Sequence, residues 1–336
     1  MISFKQFVLE SEDGGAHKLA PVATDAQNIY SPQEVSTEEF INWCESNASK
    51  YLQSISKPSS AKIFRGFKGI NSHIKGPIGP NDINTSVGKI DSNKMNRVSA
   101  NTFNYYTLWM DNHPSWSEFP KRSKSLVCST NLITASNYAR KSYAQLMIPA
   151  DSNKIGICSD DDLWTSFDAL SDMAENSVSR DRHFTMDTFM TVLYYGLSGL
   201  GIPESEVSSL QTNYSKFEAA LKRATRADIQ KIIESLDDAD FGERKYKDLE
   251  KLLGVLEHNN LNNLHALFER GLDPSSNNFK VTAAGSFKIS DNDVEVWVQG
   301  QCYTIDTMYI EKVCKDKSNK MMYDFLNKYN LCAGWD

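Results

Sequence analysis

Two stretches with the patterning of β-strands flank a long helical stretch, and this order constrains the fold more than any other feature of the sequence. Before residue 163, short apolar and aromatic runs alternate with turn residues. From 163 to about 270, apolar residues recur every three or four positions, which predicts amphipathic helices. Strand-like runs return from residue 286 onward. The order predicts an α+β fold in which a helical segment separates two β-containing parts.

The flanking parts contain patterns that predict individual elements. Ser-Thr-Glu-Glu at 36–39 predicts one amphipathic helix with its N-cap at Ser36 or Thr37, and Pro58 ends it. Further helices are predicted at 102–111 and 133–143, and strands at 62–67, 125–130, 144–147, 154–158, 286–289, 294–298 and 303–305. Residues 76–96 are rich in Gly, Pro, Asn and Asp, so we expect a loop there.

Charge and cysteine content exclude several classes of protein. The balance of 36 Lys and Arg against 43 Asp and Glu gives a net charge of −7, which argues against an overall basic nucleic-acid binder. The six cysteines form no CxxC pair, which favours reduced thiols over a disulfide or zinc framework. The histidines show no HxH or HExxH spacing, so no metal site is predicted. Without a long apolar run or a secretory signal, we expect a cytoplasmic protein with no membrane partner.

Arg65 is the first candidate site residue, because it stands in an otherwise apolar strand directly before Gly66. The planar guanidinium suits a carboxylate or a phosphate, and the glycine lets a flat ligand approach the backbone. The alternative is an arginine on an edge strand that faces water.

Two further segments carry candidate site residues. Ser129 and Thr130 end an apolar strand before a predicted helix, and taken alone they are best explained as its N-cap. Asp293 and Glu295 stand two apart on a predicted strand and so point to one face, where like charges are costly unless they are solvated or functional. A solvent-facing strand edge is the alternative for this pair.

In this order the three segments resemble the mono-ADP-ribosyltransferases of the Arg, Ser-Thr-Ser, Glu-x-Glu class, which includes clostridial binary toxins, vertebrate ecto-transferases and phage transferases. The matching sequences are Phe-Arg-Gly at 64–66, Cys-Ser-Thr-Asn at 128–131, Ala-Ser-Asn-Tyr-Ala at 135–139, Asp-Val-Glu-Val at 293–296 and the return through Gly300 to 303–305. The resemblance implies a split two-sheet ADP-ribosyltransferase-like core with N-terminal helices and a large helical insertion.

The resemblance also implies NAD as a co-substrate and no metal. Arg65 would contact the NAD phosphates, and Gly66 would let the nicotinamide amide reach the backbone. Ser129 would orient the catalytic carboxylate, and Thr130 would support the strand geometry. These four residues form the expected cofactor site.

Glu295 would be the catalytic residue, since a carboxylate can stabilise the positive charge that develops on the ribose. Asp293 stands where the family has Glu or Gln to engage the acceptor, and Asn131 replaces the third hydroxyl of Ser-Thr-Ser. The loop 285–292, with Phe287 exposed, resembles the target-recognition loop of the family.

The length of 336 residues admits two lobes or one domain with an insertion, and the order of the motifs favours the insertion. We expect an N-terminal tail or leader, a first core part, the helical insertion and a second core part at 1–33, 34–162, 163–280 and 281–336. The opening residues also resemble the leaders of proteins packaged in the heads of tailed phages, although Val8 departs from the usual cleavage pattern.

Three other segments have structural and functional explanations. The acidic run 160–162 suits the start of a helix better than a metal site. The basic residues 121–124 are best explained as a solvated face, with a role in holding the NAD phosphates or a nucleic-acid acceptor as the alternative. The aromatic segment 104–109 favours core packing over lining the cleft.

Together these observations predict an NAD-dependent mono-ADP-ribosyltransferase encoded by a phage, acting in the host cytoplasm and releasing nicotinamide. The expected acceptor is a host protein, with nucleic acid as the second choice. The alternatives are an NAD glycohydrolase toxin and a non-catalytic virion or interaction protein with a degenerate transferase fold.

Overall fold

The computed structural model describes residues 32–57, 59–67, 86–97, 104–137, 144–175, 189–190, 193, 197, 202, 204–235, 243–289 and 293–335. The predicted leader falls almost wholly outside this part of the chain. Its described portion combines helices with an antiparallel sheet, so the predicted α+β class is confirmed.

Nine strands in the described ranges form one antiparallel sheet. They are β1 (Gln33–Glu34), β2 (Phe64–Gly66), β3 (Val87–Asp91), β4 (Ser125–Ser129), β5 (Ala144–Pro149), β6 (Lys154–Ile157), β7 (Lys280–Ala283), β8 (Glu295–Gln299) and β9 (Gln301–Asp306). Their order across the sheet is β1-β3-β9-β5-β2-β4-β8-β6-β7. Gly300 makes the turn between β8 and β9 with a φ of 114°, which glycine adopts without strain.

In the sequence, the described helices lie between strands of the sheet or follow its last strand, β9. They are α1 (Thr37–Asn47), α2 (Ser49–Ile55), α3 (Tyr105–Asn112), α4 (Leu132–Asn137), α5 (Asp168–Glu175), α6 (Glu204–Ser209), α7 (Tyr214–Arg223), α8 (Arg226–Ser235), α9 (Glu243–His258), α10 (Leu264–Gly271), α11 (Thr307–Asp316) and α12 (Lys320–Lys328). The helical texture predicted for the middle of the chain is therefore present in α5 to α10.

The N-terminal helical region begins as predicted, because Ser36 is the N-cap of α1. The prediction of one continuous helix is wrong, since Ala48 leaves the helical conformation and a second helix follows. The carboxylate of Asp151 accepts the backbone N–H groups of Lys50 and Tyr51 at the start of α2. This cap comes from about a hundred residues away, and it explains why the local sequence did not predict the break.

Two hydrophobic cores hold these elements together. The first lies between the sheet and the terminal helices, with Phe40 of α1, Leu146 of β5 and Phe325 of α12 among its buried residues. The second joins the middle helices to Trp109 of α3 and Trp297 of β8. The helical segment therefore shares its core with residues that flank it in the sequence.

The prediction of a loop at 76–96 is wrong for residues 87–94. Val87–Asp91 forms β3, which is fully paired with β9, and Ser92–Lys94 forms a 3-10 turn. Gly88 and Asp91 discourage a strand locally, but the apolar side chains of Val87 and Ile90 are buried in the first core. Residues 76–85 lie outside the described part of the chain.

The prediction of a strand at 286–289 is also wrong. The strand lies earlier, at β7, and Ala284–Ser286 follows it as a 3-10 turn. Phe287 was expected to be exposed but is 1% exposed, and its ring lies 6.1 Å from that of Tyr51. An aromatic side chain of this size gains more from packing against α2 than from exposure.

Cys314 and Cys332 form a disulfide, which corrects the prediction that all six cysteines are free thiols. Their Cα atoms lie 5.6 Å apart although 18 positions separate them, because the chain returns between α11 and α12. The other cysteines, Cys44, Cys128, Cys158 and Cys302, are free and buried.

Among the described residues, no helix combines the length and apolar character that crossing a membrane requires.

Candidate active site

The three segments singled out in the sequence lie on three neighbouring strands, β2, β4 and β8. Ser129 is the register partner of Phe64 on one side and of Glu295 on the other. One row across the sheet therefore joins the arginine segment, the Ser-Thr segment and the acidic segment.

The joint between β2 and β4 is narrow. These strands are paired through Phe64 and Ser129, whereas β4 and β8 are paired along the whole of β4. Beyond this joint, Arg65 pairs with Gln145 of β5, and its Nη1 donates a hydrogen bond to the carbonyl of Val127 on β4. Because β2 is an inner strand, the alternative of a water-facing edge arginine is wrong. The side chain of Arg65 therefore connects β2 to β4 beyond the single backbone pair of these two strands.

Glu295 is 9% exposed, and its carboxylate is held by an ion pair. Nη2 of Arg122 lies 2.5 Å from Oε1 of Glu295, and the Sγ atom of Cys158 lies 4.0 Å from the same oxygen. The backbone N–H of Glu295 donates to the carbonyl of Asp160. Since β8 lies between β4 and β6, the alternative of a solvent-facing strand edge is wrong.

Arg122 is buried, so the explanation of residues 121–124 as a solvated face is wrong for this residue. Its guanidinium lies 5.3 Å from the centre of the Trp297 ring. Within the described part of the chain, its Nε and Nη1 atoms have no hydrogen-bond partner. Burial alone would lower the pKa of Arg122, but the Glu295 carboxylate raises that pKa above its ordinary value. A buried guanidinium with unused donors is suited to bind an anion.

Arg97 adds a third guanidinium to the same region. Burial, together with the neighbouring charges of Arg122 and Arg65, lowers the pKa of Arg97 to about 10. The side chain therefore remains charged at neutral pH. Three guanidiniums therefore lie near one another and near Glu295, although the chain as a whole is acidic.

The Trp297 ring packs against the guanidinium of Arg122. Its Nε1 donates to the carbonyl of Pro120 at 2.9 Å. A Cβ atom placed on Gly156 of β6 would lie 2.2 Å from the Trp297 ring, so only glycine leaves room for the ring at this position. The Trp297 ring thus packs directly on the backbone of β6 at Gly156, and Arg122 lies over this ring.

The Ser-Thr segment fixes the start of β8 and of α4. Thr130 exchanges hydrogen bonds with Val294, whose N–H lies 3.0 Å from the threonine Oγ1. Ser129 Oγ accepts the N–H of Asn131, and Asn131 Oδ1 accepts the N–H groups of Ile133 and Thr134. The helix cap is therefore Asn131 rather than either hydroxyl residue, and it occupies the position at which the sequence departs from the family pattern.

Asp293 lies just before β8 and is exposed. Its carboxylate accepts a hydrogen bond from Thr134 Oγ1 at 3.2 Å, whereas Glu295 pairs with Arg122. Because the strand begins only at Glu295, strand alternation does not place the two carboxylates on one face. Each has its own partner, and one of them is open to solvent.

The acidic run 160–162 does not start a helix, since turns follow it and α5 begins at Asp168. Asp162 instead accepts the N–H of Trp164 and lies near Glu295. Burial and the charge of Glu295 raise the pKa of Asp162 to about 6. Sequence reasoning did not identify Asp162 as part of this region.

The aromatic segment 104–109 packs in the second core, as its favoured explanation predicts. Tyr105 stacks on Phe217 of α7 with ring centres 4.8 Å apart, and Trp109 is fully buried. Tyr106 faces Trp164, in the turn that follows the acidic run.

No protein-family model matches the chain, and no curated protein or solved structure matches it either. The functional argument therefore depends on the motifs and on the geometry. The sequence analysis singled out Arg65, Ser129 and Glu295 as candidates. It did not single out Arg97, and for Arg122 it favoured a solvated face over a role in holding phosphates. The basic composition of residues 121–124 was the one signal that could have pointed to Arg122.

Proposed function

We propose that the chain is an NAD-dependent mono-ADP-ribosyltransferase with a split ADP-ribosyltransferase-like core. The row Phe64, Ser129 and Glu295 carries this proposal, because it brings three separated motifs into register on adjacent strands. The narrow joint between β2 and β4 divides the sheet into two parts, in keeping with a split core. Both features depend on long-range pairing that the motifs alone do not require.

The charges of the region fit the diphosphate of NAD. Arg65, Arg97 and Arg122 provide three guanidiniums, and the planar fork of donors in arginine matches phosphate oxygens. The two unused donors of Arg122 can bind the diphosphate while its third nitrogen holds Glu295. The net charge of −7 does not oppose this, because the ligand meets only the local charge.

Glu295 then acts on the ribose. Nicotinamide leaves with the electron pair of the glycosidic bond, and positive charge develops on the ribose ring. The carboxylate, accepting a hydrogen bond from the 2′-hydroxyl, stabilises that charge by about 3 kcal/mol. The acceptor attacks the anomeric carbon and loses a proton, which gives the ADP-ribosylated acceptor and free nicotinamide.

Asp293 is positioned to meet the acceptor. It is exposed, it lies two residues before Glu295, and Thr134 holds its carboxylate. A carboxylate at this place can orient a basic or hydroxyl-bearing group for attack. We propose a protein of the host cytoplasm as the acceptor, with nucleic acid as the second choice.

A non-catalytic role is the second candidate, and the Arg122–Glu295 ion pair favours it. A carboxylate that is 9% exposed and already paired reaches a ribose only if the pair opens or shares its partner. In that case the fold would have kept the motifs as structural elements of an interaction protein. Failure to bind NAD by calorimetry, with the fold intact, would support this candidate.

Incubation of host lysate with the protein and NAD labelled in the adenylate phosphate tests the enzymatic proposal. We expect labelled bands with the natural sequence and at least 100-fold less label with Glu295→Gln. Glu311→Gln, on the exposed side of α11, is the matched control and should label normally. Nicotinamide release without a labelled macromolecule would identify an NAD glycohydrolase instead.

A further inference from the structure

A second group of polar side chains lies in the other core, where α3 meets α10. His113 follows α3, and His265 and Glu269 stand four residues apart on one face of α10. Residues 113 and 265 are too far apart in sequence for any spacing rule to connect them. Folding of the helical segment against α3 brings them together.

The ligand atoms of these three residues converge. His265 Nδ1 lies 3.3 Å from Glu269 Oε2, and His113 Nε2 lies 3.9 Å from Glu269 Oε1. One ligand atom from each residue can be chosen so that all three lie within 4.8 Å of one another. A tetrahedral ion about 2.0 Å from each ligand needs ligand atoms about 3.3 Å apart. The Glu269 side chain is 52% exposed and can rotate toward an ion, and the two imidazoles shift with it to reach that spacing.

The other nitrogen of each imidazole ring has a hydrogen-bond partner of its own. His113 Nδ1 lies 2.8 Å from Ser115 Oγ and 3.4 Å from the backbone nitrogen of Ser115, and His265 Nε2 lies 3.4 Å from the carboxylate of Glu218 on α7. Metal-bound histidines use their second nitrogen in this way, which sets the tautomer and the ring orientation. When Nδ1 of His113 donates to Ser115 Oγ, each ring turns its other nitrogen toward the Glu269 carboxylate.

Packing holds the two rings in place. Trp109 stacks on His113 with ring centres 4.0 Å apart and lies edge-on to His265 at 5.5 Å. Both histidine side chains are nearly buried, whereas Glu269 faces solvent. An ion can thus enter past Glu269 and keep a water molecule as its fourth ligand.

We propose that His113, His265 and Glu269 bind a divalent transition-metal ion of the zinc class. Two imidazoles and one carboxylate suit zinc far better than calcium or magnesium, which prefer oxygen ligands alone. The ion would connect α10 of the helical segment to the end of α3. It would serve as a structural link within the second core.

Metal titration of the full chain tests this proposal. After chelator treatment and desalting, the protein is titrated with Zn²⁺ by calorimetry and with Co²⁺ by visible absorption. We expect one equivalent of each ion to bind and the intense absorption of four-coordinate Co²⁺. Glu269→Gln and His265→Gln should abolish binding, and Glu218→Gln should weaken it about 10-fold to 100-fold.

His258→Gln is the matched control, because His258 is exposed on α9 and should not affect binding. Glu269 is also largely exposed, so its variant should fold even if the histidine variants do not. The absence of stoichiometric binding by the natural sequence would overturn the proposal. So would binding that Glu269→Gln leaves unchanged, because the group would then be only a hydrogen-bonded cluster.

Discussion

Arg122 and Glu295 are 173 positions apart in the sequence and form a buried ion pair 2.5 Å long. The pair fixes the carboxylate beside Arg122, whose guanidinium lies over the Trp297 ring. It also places beside the proposed catalytic residue a guanidinium whose Nε and Nη1 atoms have no partner among the described residues. In the proposed function, this one arginine would couple substrate binding to catalysis.

Replacing Arg122 by Gln should destabilise the protein, because Glu295 would remain buried without an ionic partner. We expect the free energy of unfolding to fall by about 3 to 5 kcal/mol, and NAD binding to weaken. Urea unfolding and calorimetry measure the two effects. Lys121→Gln, at the exposed neighbouring position, should change neither, and an Arg122→Gln variant as stable as the natural protein would contradict the account.

Asp162 should make stability depend on pH. Its pKa is about 6 in the folded chain and near the ordinary 3.8 when unfolded, so the folded state holds more protons between these values. Stability should therefore fall as the pH rises from about 4 to about 6. Asp162→Asn should remove about 1 to 2 kcal/mol of this dependence, allowing for partial solvent screening.

The difference in pH-dependent stability between the natural protein and Asp162→Asn reports on Asp162 alone. Asp111 and Asp306 also have pKa values raised by burial, but they are present in both and cancel in the difference. Asp168→Asn, at the exposed start of α5, is the control. Identical pH profiles of the natural protein and Asp162→Asn would show that Asp162 is not buried beside Glu295.

The Cys314–Cys332 disulfide should stabilise the fold without taking part in the reaction. A bridge that closes a loop of this length contributes about 3 kcal/mol, so reduction should lower the urea midpoint. The double variant Cys314→Ala, Cys332→Ala should be equally destabilised and insensitive to the reductant. A midpoint that the reductant leaves unchanged in the natural protein would contradict this, as would a change in NAD affinity beyond that due to unfolding.

The sequence correctly predicted those elements whose stability depends on residues close to them in the chain. The N-cap at Ser36, the strand before Thr130 and the turn at Gly300 all follow from residue types within a few positions. The three motifs could be placed on strands for the same reason. Their arrangement on adjacent strands could only be inferred from the resemblance.

Long-range contacts account for what the sequence did not predict. The break at Ala48 depends on Asp151, the burial of Phe287 on Tyr51, and the disulfide on the return of the chain after α11. Arg122 has a charged residue on one side and a polar one on the other, so nothing local distinguishes it from a surface arginine. Its position is set by β8 and by the Trp297 ring.

The most direct test of the central claim compares NAD binding with nicotinamide release in purified Glu295→Gln protein. Removing the carboxylate frees Arg122 for the diphosphate, so NAD should bind with an affinity at least equal to that of the natural protein. Nicotinamide release should fall at least 100-fold, because the developing charge on the ribose loses its stabilising carboxylate. Retained binding would show that the fold is intact. Release at the natural rate by the Glu295→Gln protein would contradict the assignment of Glu295 as the catalytic residue.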